Sequence, residues 1–192
     1  MKQLNVFLFV SICAIGSLAQ AQIAQPGIYI SGNDFDTNKI SSFEIKGKKY
    51  KLKLHDTFYK PFIEVESGDS TIKLYKDSIF GYRDKGNVSF CFFDKNIYTV
   101  MNQREKIILY KRQSSGGYKN TETIVRYFFS KDASSPILPL TRTNLKDVFQ
   151  SDSSFYEIID MCFDSDDELI TYDNTYKIFK INRVYEFSHK NK

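Results

Sequence analysis

A succession of short β-type runs, separated by turn signals between residues 27 and 130, constrains the fold of this chain most strongly. Over residues 49–55 apolar and charged side chains alternate, which is the period of a strand with one buried face. Residues 67–69, Ser-Gly-Asp, have the composition of a hairpin loop between two further runs. Other β candidates are residues 42–46, 61–66, 71–75, 79–83, 88–93, 97–101, 106–111 and 122–129. Consecutive strands with short connections predict an antiparallel β-meander, which could curl into a partial barrel.

Helical periodicity replaces the β pattern after Pro136 and Pro139. Thr141 or Thr143 is positioned to cap a short helix, and Ser153 is positioned to cap a second one. The second helix carries an apolar stripe at helical spacing, formed by Phe155, Ile158, Ile159, Cys162 and Phe163.

Residues 165–168, Ser-Asp-Asp-Glu, have the pattern of a capping box that opens a third helix. We expect this helix to extend to about Val184, with a final strand over residues 178–187 as the alternative. The sequence therefore predicts an α+β fold. An antiparallel meander or partial barrel over about 27–130 is followed by two or three C-terminal helices over about 141–185.

The first 21 residues have the pattern of an export leader. Lys2 supplies the positive start, an apolar run follows, and residues 19–21 offer the small-x-small pattern of a signal-peptidase site. We expect cleavage between Ala21 and Gln22, which leaves residues 22–192 as a single α+β domain that is secreted or periplasmic. The apolar run is too short to span a bilayer, so no stable membrane span is expected after cleavage.

Composition argues against nucleic-acid binding and in favour of an aromatic core. The net charge of +4 is small, and the lysines are interleaved with acidic residues instead of forming a basic face. Aromatic residues make up 16% of the chain, which favours a packed core over a disordered chain.

Cys91 and Cys162 each lie in an apolar pattern, which favours two buried thiols. A disulfide between them is the alternative, because an exported chain meets an oxidising compartment. Neither cysteine shows metal-ligand spacing with a histidine, so no metal site and no cofactor are expected. Residues 164–168 form the densest acidic cluster, which helix capping explains better than calcium binding.

Three side chains are candidates for a binding surface. Tyr82 and Arg83 follow a glycine inside a β run and could present a stacking ring and an anion-binding fork. Tyr127 belongs to a run of three aromatic residues, some of which could line a groove. The alternative is that these rings belong to the core and that the arginine is solvated or paired. The same choice holds for Glu64 and Glu66, which share a strand face and could be a carboxylate pair or a solvated surface.

Several short motifs follow one another along the chain: Gly27-Ile28-Tyr29, Asp34-Phe35, Phe80-Gly81-Tyr82-Arg83, Ile137-Leu138-Pro139-Leu140, Asn144-Leu145, Tyr172-Asp173 and Asn182-Arg183. In this order the chain resembles an uncharacterised family of small secreted proteins from Gram-negative bacteria. The resemblance implies export and a common fold, and it supplies no catalytic residue.

The sequence favours an exported, non-enzymatic binding or structural protein of the cell envelope, whose partner is an envelope protein or a glycan. No catalytic residue is assigned. A hydrolase of envelope or extracellular polymers is the alternative, because only the fold could bring its carboxylates together. An inhibitor or immunity-type protein is a third hypothesis.

Overall fold

A computed structural model describes residues 26–41, 51–55, 60–115 and 123–190. The predicted leader with its Ala21–Gln22 cleavage site lies outside these residues, and so does the predicted strand 42–46.

The described strands, in chain order, are β1 (Gly27–Tyr29), β2 (Lys51–Lys53), β3 (Phe62–Ser67), β4 (Ser70–Tyr75), β5 (Gly81–Arg83), β6 (Ser89–Phe93), β7 (Asn96–Val100), β8 (Ile108–Ser115), β9 (Thr123–Ser130), β10 (Leu138–Pro139), β11 (Tyr172–Asp173) and β12 (Ile178–Phe179). The α-helices are α1 (Gly32–Asp36), α2 (Arg142–Val148), α3 (Ser153–Cys162) and α4 (Lys180–His189). A 3₁₀ helix spans Asp166–Ile170.

The predicted α+β fold with a β-meander and C-terminal helices is confirmed. Strands β5 to β10 follow one another in a seven-stranded antiparallel sheet, and β1 completes it by pairing with β5. The sheet is open, with β1 and β10 at its two edges. Strands β2, β3 and β4 form a separate three-stranded sheet, so the chain leaves the larger sheet after β1 and returns to it at β5.

Side-chain alternation along the strands divides the core into three clusters. One face of the larger sheet carries Tyr29, Cys91, Tyr98 and Tyr110, which pack with Phe35 of α1. The opposite face packs Ile28, Tyr82 and Phe92 against Ile63 and Val65 of the smaller sheet. Further along that face, the C-terminal helices cover Leu109 and Phe129 with Leu145, Phe155, Ile159 and Val184.

The first two predicted C-terminal helices are present. The Thr141 hydroxyl accepts a hydrogen bond from the N–H of Asn144 and caps α2 as expected. Asp152, one residue before the predicted cap Ser153, caps α3 through the N–H of Phe155. A carboxylate accepts such a bond as readily as a hydroxyl, so the cap lies one residue earlier than predicted.

The predicted third helix from residue 165 to about Val184 is wrong. The 3₁₀ helix Asp166–Ile170 makes only one short turn, and the Ser165 side chain makes no capping hydrogen bond. The chain then forms the β11–β12 hairpin, where the Asp173 carboxylate accepts hydrogen bonds from the N–H groups of Thr175 and Tyr176. This local turn competes with helix propagation, so α4 starts only at Lys180. The alternative strand over residues 178–187 is wrong as well, because only Ile178–Phe179 is extended.

Helix α1 lies within the segment predicted as β. Ser31 accepts a hydrogen bond from the N–H of Asp34, and the Asp34 carboxylate accepts one from the N–H of Ser31. This reciprocal capping box stabilises a helix that is too short for apolar periodicity to reveal.

Candidate functional site

A cleft of about 1680 Å³ lies at one end of the larger sheet, around the β7–β8 connection, residues 101–107. Its lining includes the end of α1, residues of β5 and β6, and aromatic residues of the C-terminal half. We call it the sheet-end cleft and define it by Asp36, Asn38, Arg83, Asn87, Ser89, Asn102, Gln103, Arg104, Glu105, Lys106, Lys131, Asp132, Phe149, Tyr172, Phe179 and Tyr185. Amides, carboxylates, cations and aromatic rings therefore converge on one open space.

A hydrogen-bond network fixes the polar groups on the α1 side of the cleft. The Gln103 Nε2 donates to the Phe35 carbonyl oxygen at 2.9 Å and to the Tyr29 hydroxyl at 3.2 Å. The Gln103 Oε1 accepts from the Ser89 hydroxyl at 3.3 Å. Because partners hold both ends of its amide, the Gln103 side chain is oriented before any ligand arrives.

Arg83 and Asn38 extend this network into the cleft. The Arg83 Nη1 donates to the Asn38 Oδ1 at 2.8 Å, and the guanidinium lies 6.0 Å from the centre of the Tyr29 ring. Asn38 follows α1 with φ of 54°, a left-handed conformation that asparagine tolerates better than most residues. The turn after α1 thus aims an amide oxygen at the arginine.

The structure separates the three side chains predicted to form a binding surface. Tyr82 and Arg83 are consecutive in β5 and point to opposite faces of the sheet. Tyr82 is 4% exposed and stacks on Phe90 at 4.8 Å between ring centres, so its ring belongs to the core. Arg83 lines the sheet-end cleft, although its exposed fraction is only 7%. Tyr127, which is 38% exposed, lies on β9 and is not among the cleft residues.

Three carboxylates line the sheet-end cleft. Partial burial raises the pKa of Asp36, and the nearby Asp132 carboxylate raises it further. Burial also raises the pKa of Glu105, against the hydrogen bond that Asn102 donates to it at 2.8 Å. Asp132 itself accepts hydrogen bonds from the Ser134 N–H and the Ser135 hydroxyl, which order the turn after β9. The sequence does not reveal this group of acids, because Asp36 ends α1, Glu105 lies in the β7–β8 connection and Asp132 lies in the turn after β9.

Glu64 and Glu66, the carboxylate pair suggested by the sequence, lie outside the sheet-end cleft on β3. His55 Nε2 lies 2.8 Å from the Glu64 Oε2, and Lys53 Nζ lies 2.5 Å from the Glu66 Oε1. The hydrogen bond from His55 is the main reason that the pKa of Glu64 is lowered. Each carboxylate thus has a basic partner on or just after β2, and the two do not face each other across a cleft.

The acidic cluster of residues 164–168 has structural partners. The Asp166 carboxylate accepts from the N–H of Arg142, and the Glu168 carboxylate accepts from the N–H of Asp164. Within residues 26–41, 51–55, 60–115 and 123–190, no group of three or more histidine, cysteine or acidic residues could hold a metal ion.

Cys91 and Cys162 are free thiols in the structure, so the alternative of a disulfide between them is not found. Cys91 is buried on the sheet face that packs against α1, and burial raises the pKa of its thiol to about 12. Cys162 is partly buried and packs against the helical cluster. The two cysteines therefore belong to different hydrophobic clusters.

Asn38, Asn102 and Gln103 were not identified from the sequence as functional residues. Asn102 and Gln103 directly follow the strand candidate 97–101, and this polar pair between two apolar runs is the only available signal. No described helix is long and apolar enough to cross a membrane. Comparisons with known protein families, curated proteins and solved structures found no match to this chain.

Proposed function

We propose that this protein is an exported, non-enzymatic binding protein of the cell envelope that holds a glycan in the sheet-end cleft. The observation that carries the proposal is the Gln103–Arg83–Asn38 network at the side of the cleft. Sugar hydroxyls both donate and accept hydrogen bonds. This network holds amide oxygens, which accept, and amide and guanidinium N–H groups, which donate, in fixed positions.

The size and the aromatic content of the cleft support an extended ligand. Its volume of about 1680 Å³ exceeds the roughly 300–1,000 Å³ of a typical small-molecule pocket. Tyr172, 44% exposed, also lines the cleft and offers a ring face for stacking. The lining contains both cations and carboxylates, which suits a polar ligand more than a highly charged one.

Export is the part of the proposal that the first 21 residues support. Expression of the full chain in a Gram-negative host tests it directly. We expect the mature protein to begin at Gln22 and to be found in the periplasm or the medium, as mass spectrometry of the intact protein will show. An uncleaved chain retained in the cytoplasm would contradict this part.

Glycan binding is tested with the protein recovered from that host. We expect it to bind members of an array of neutral, amino-sugar and uronic-acid tetrasaccharides, and the Gln103→Ala variant to lose about tenfold or more in affinity. Gln113→Ala is the matched control, because Gln113 lies on β8 and is not among the cleft residues. Equal affinities of the two variants would contradict a role for the cleft.

A hydrolase is the second candidate, and the raised pKa of Asp36 beside Asp132 favours it. A raised pKa is one property of the carboxyl group that acts as general acid on a glycosidic oxygen. The test is release of reducing ends from the tetrasaccharides that bind. Turnover that the Asp36→Asn variant abolishes would replace the binding proposal with the hydrolase.

A further inference from the structure

We propose that the outer edge of β9 at residues 123–126 binds an extended acidic peptide segment of another protein, which adds a strand to the larger sheet. This surface is separate from the sheet-end cleft, and its test does not depend on a ligand there. The proposal rests on an open strand edge and on two arginines that form no salt bridge with a carboxylate in the part of the chain that the structure describes.

The outer edge of β9 is only partly covered. Strand β8 pairs with β9 along its whole length, from Ile108↔Ser130 to Ser115↔Thr123. On the other side, β10 pairs only with Phe128 and Phe129. The N–H of Leu140 adds one more hydrogen bond, to the Tyr127 carbonyl oxygen at 3.0 Å.

Strand geometry shows which backbone groups remain open. Because the Tyr127 carbonyl points toward β10, the backbone groups of Val125 and Thr123 point to the same side. In the described part of the chain, no backbone hydrogen bond on that side reaches Val125 or Thr123. An edge of this kind is a template for strand addition.

The side chains near this edge are exposed on both faces. Ile124 is 41% exposed, Val125 39% and Tyr127 38%. A partner strand could therefore cover apolar surface on both faces in addition to pairing with the backbone. Successive side chains of such a strand would lie beside Arg126 on one face of the sheet and beside Val125 on the other.

The charge of this surface specifies the partner. Arg112 and Arg126 lie directly opposite each other on β8 and β9, and like charges in that position are destabilising. Arg112 stacks over Phe128 at 5.3 Å, which holds its guanidinium on the sheet face. The two strands contain no acidic residue, and no described carboxylate forms a salt bridge with either arginine.

An extended partner with acidic side chains fits both the open backbone edge of β9 and the positive charge beside it. Its carboxylates would lie beside the Arg126 guanidinium at the outer edge of β9, on the sheet face that also carries Arg112, and would offset the repulsion between the two arginines. A second copy of the chain fits less well, because pairing of two β9 edges would add further arginines to the same surface.

The test uses the full exported chain and two acetylated octapeptides. One alternates glutamate with threonine and valine, and the other has lysine in place of glutamate. We expect the glutamate peptide to bind and to slow hydrogen exchange of the Thr123 and Val125 amides, and the lysine peptide to bind at least about tenfold more weakly.

Two variants separate the charge from the edge. Arg126→Glu should weaken binding of the glutamate peptide by about tenfold or more and favour the lysine peptide instead. Val125→Pro removes an N–H that faces away from β8, so the β8–β9 ladder should persist while peptide binding is lost. Lys85→Glu, in the β5–β6 turn, is the control for net charge and should change affinity less than twofold.

Four results would overturn the proposal. Two concern the peptides: equal binding of both, or unchanged affinity of the Arg126→Glu variant for the glutamate peptide. The other two are a different occupant of the edge: a concentration-dependent dimer that occupies the β9 edge, or binding of phosphatidylglycerol vesicles without binding of the glutamate peptide. If Val125→Pro does not fold, the proposal is tested by Arg126→Glu alone, which should bind the lysine peptide in preference to the glutamate peptide.

Discussion

Asn182 and the main chain of Ile107 are joined by two hydrogen bonds. The Asn182 Nδ2 donates to the Ile107 carbonyl oxygen at 2.9 Å, and its Oδ1 accepts from the Ile107 N–H at 2.7 Å. Asn102 donates a further bond to the same carbonyl oxygen at 2.8 Å. One buried amide thus fixes α4 to the β7–β8 connection that forms the centre of the sheet-end cleft.

Replacement of Asn182 by alanine should lower the free energy of unfolding by about 1–3 kcal/mol, because the Ile107 N–H then stays buried without a partner. Urea denaturation measures this change. Asn33→Ala is the control, since Asn33 is exposed in α1, and it should change stability by less than about 0.5 kcal/mol. Equal stabilities of the two variants would contradict this role of Asn182.

Replacement of Gly81 by alanine should destabilise the protein by at least about 3 kcal/mol. A Cβ atom there would lie 1.9 Å from the Phe90 carbonyl oxygen, which belongs to the paired strand and cannot move aside easily. The matched variant Gly86→Ala places its Cβ 3.3 Å from the flexible Asp84 side chain. Thermal unfolding should therefore distinguish the two, and a small effect of Gly81→Ala would disprove the backbone clash.

Removal of the Glu64 carboxylate should reduce stability at neutral pH more than in acid. Because the hydrogen bond from His55 lowers the pKa of Glu64 in the folded state, this stabilisation is complete above the ordinary pKa of 4.5 and is lost as the pH falls through the lower folded value. The loss in unfolding free energy for Glu64→Gln should thus be larger at about pH 6 than at about pH 3. His55→Asn should remove the same pH dependence, and the double variant should add nothing further. Additive effects of the two substitutions would contradict the coupling.

The Cys91 thiol should resist modification in the folded protein. With its pKa raised to about 12 by burial, only about one thiol in ten thousand is ionised at about pH 8. A variant with both Cys13→Ser and Cys162→Ser leaves Cys91 as its single cysteine. Iodoacetamide labelling followed by mass spectrometry measures its rate. We expect iodoacetamide to label Cys91 only after the protein is denatured. No reductant should be needed for this labelling, because the thiol is free. Rapid labelling of the folded protein would contradict the burial of this thiol.

The local sequence signals predicted most strands and the first two C-terminal helices. Within the predicted strand 49–55, β2 spans Lys51–Lys53, and Leu52 and Leu54 pack against a core cluster, while residues 49 and 50 lie outside the described residues. The glycine within residues 79–83 marks the close backbone approach that Gly81 makes to Phe90. The third helix was mispredicted because the Asp173 turn interrupts an apolar spacing that was also compatible with a helix. Local hydrogen bonds outweighed periodicity at that point.

The candidate site was less accessible to sequence reasoning. Arg83 was identified beside a strand glycine, but its role depends on Asn38 and Gln103, which lie 45 and 20 positions away in the chain. Tyr82 was assigned to the same surface, yet strand alternation places its ring in the core. Spacing within one segment carries no information about which separate loops the fold brings together.

By itself the sequence determined most of the strands of the meander and the first two C-terminal helices, because periodicity and capping act over a few residues. Only the tertiary structure decided that Asn182 would hold Ile107, that Arg83 would meet Asn38, and that β9 would keep an open edge. These relationships depend on how far β10 extends and on how helices α1 and α4 pack on the sheet. They follow from long-range packing, which no local pattern encodes.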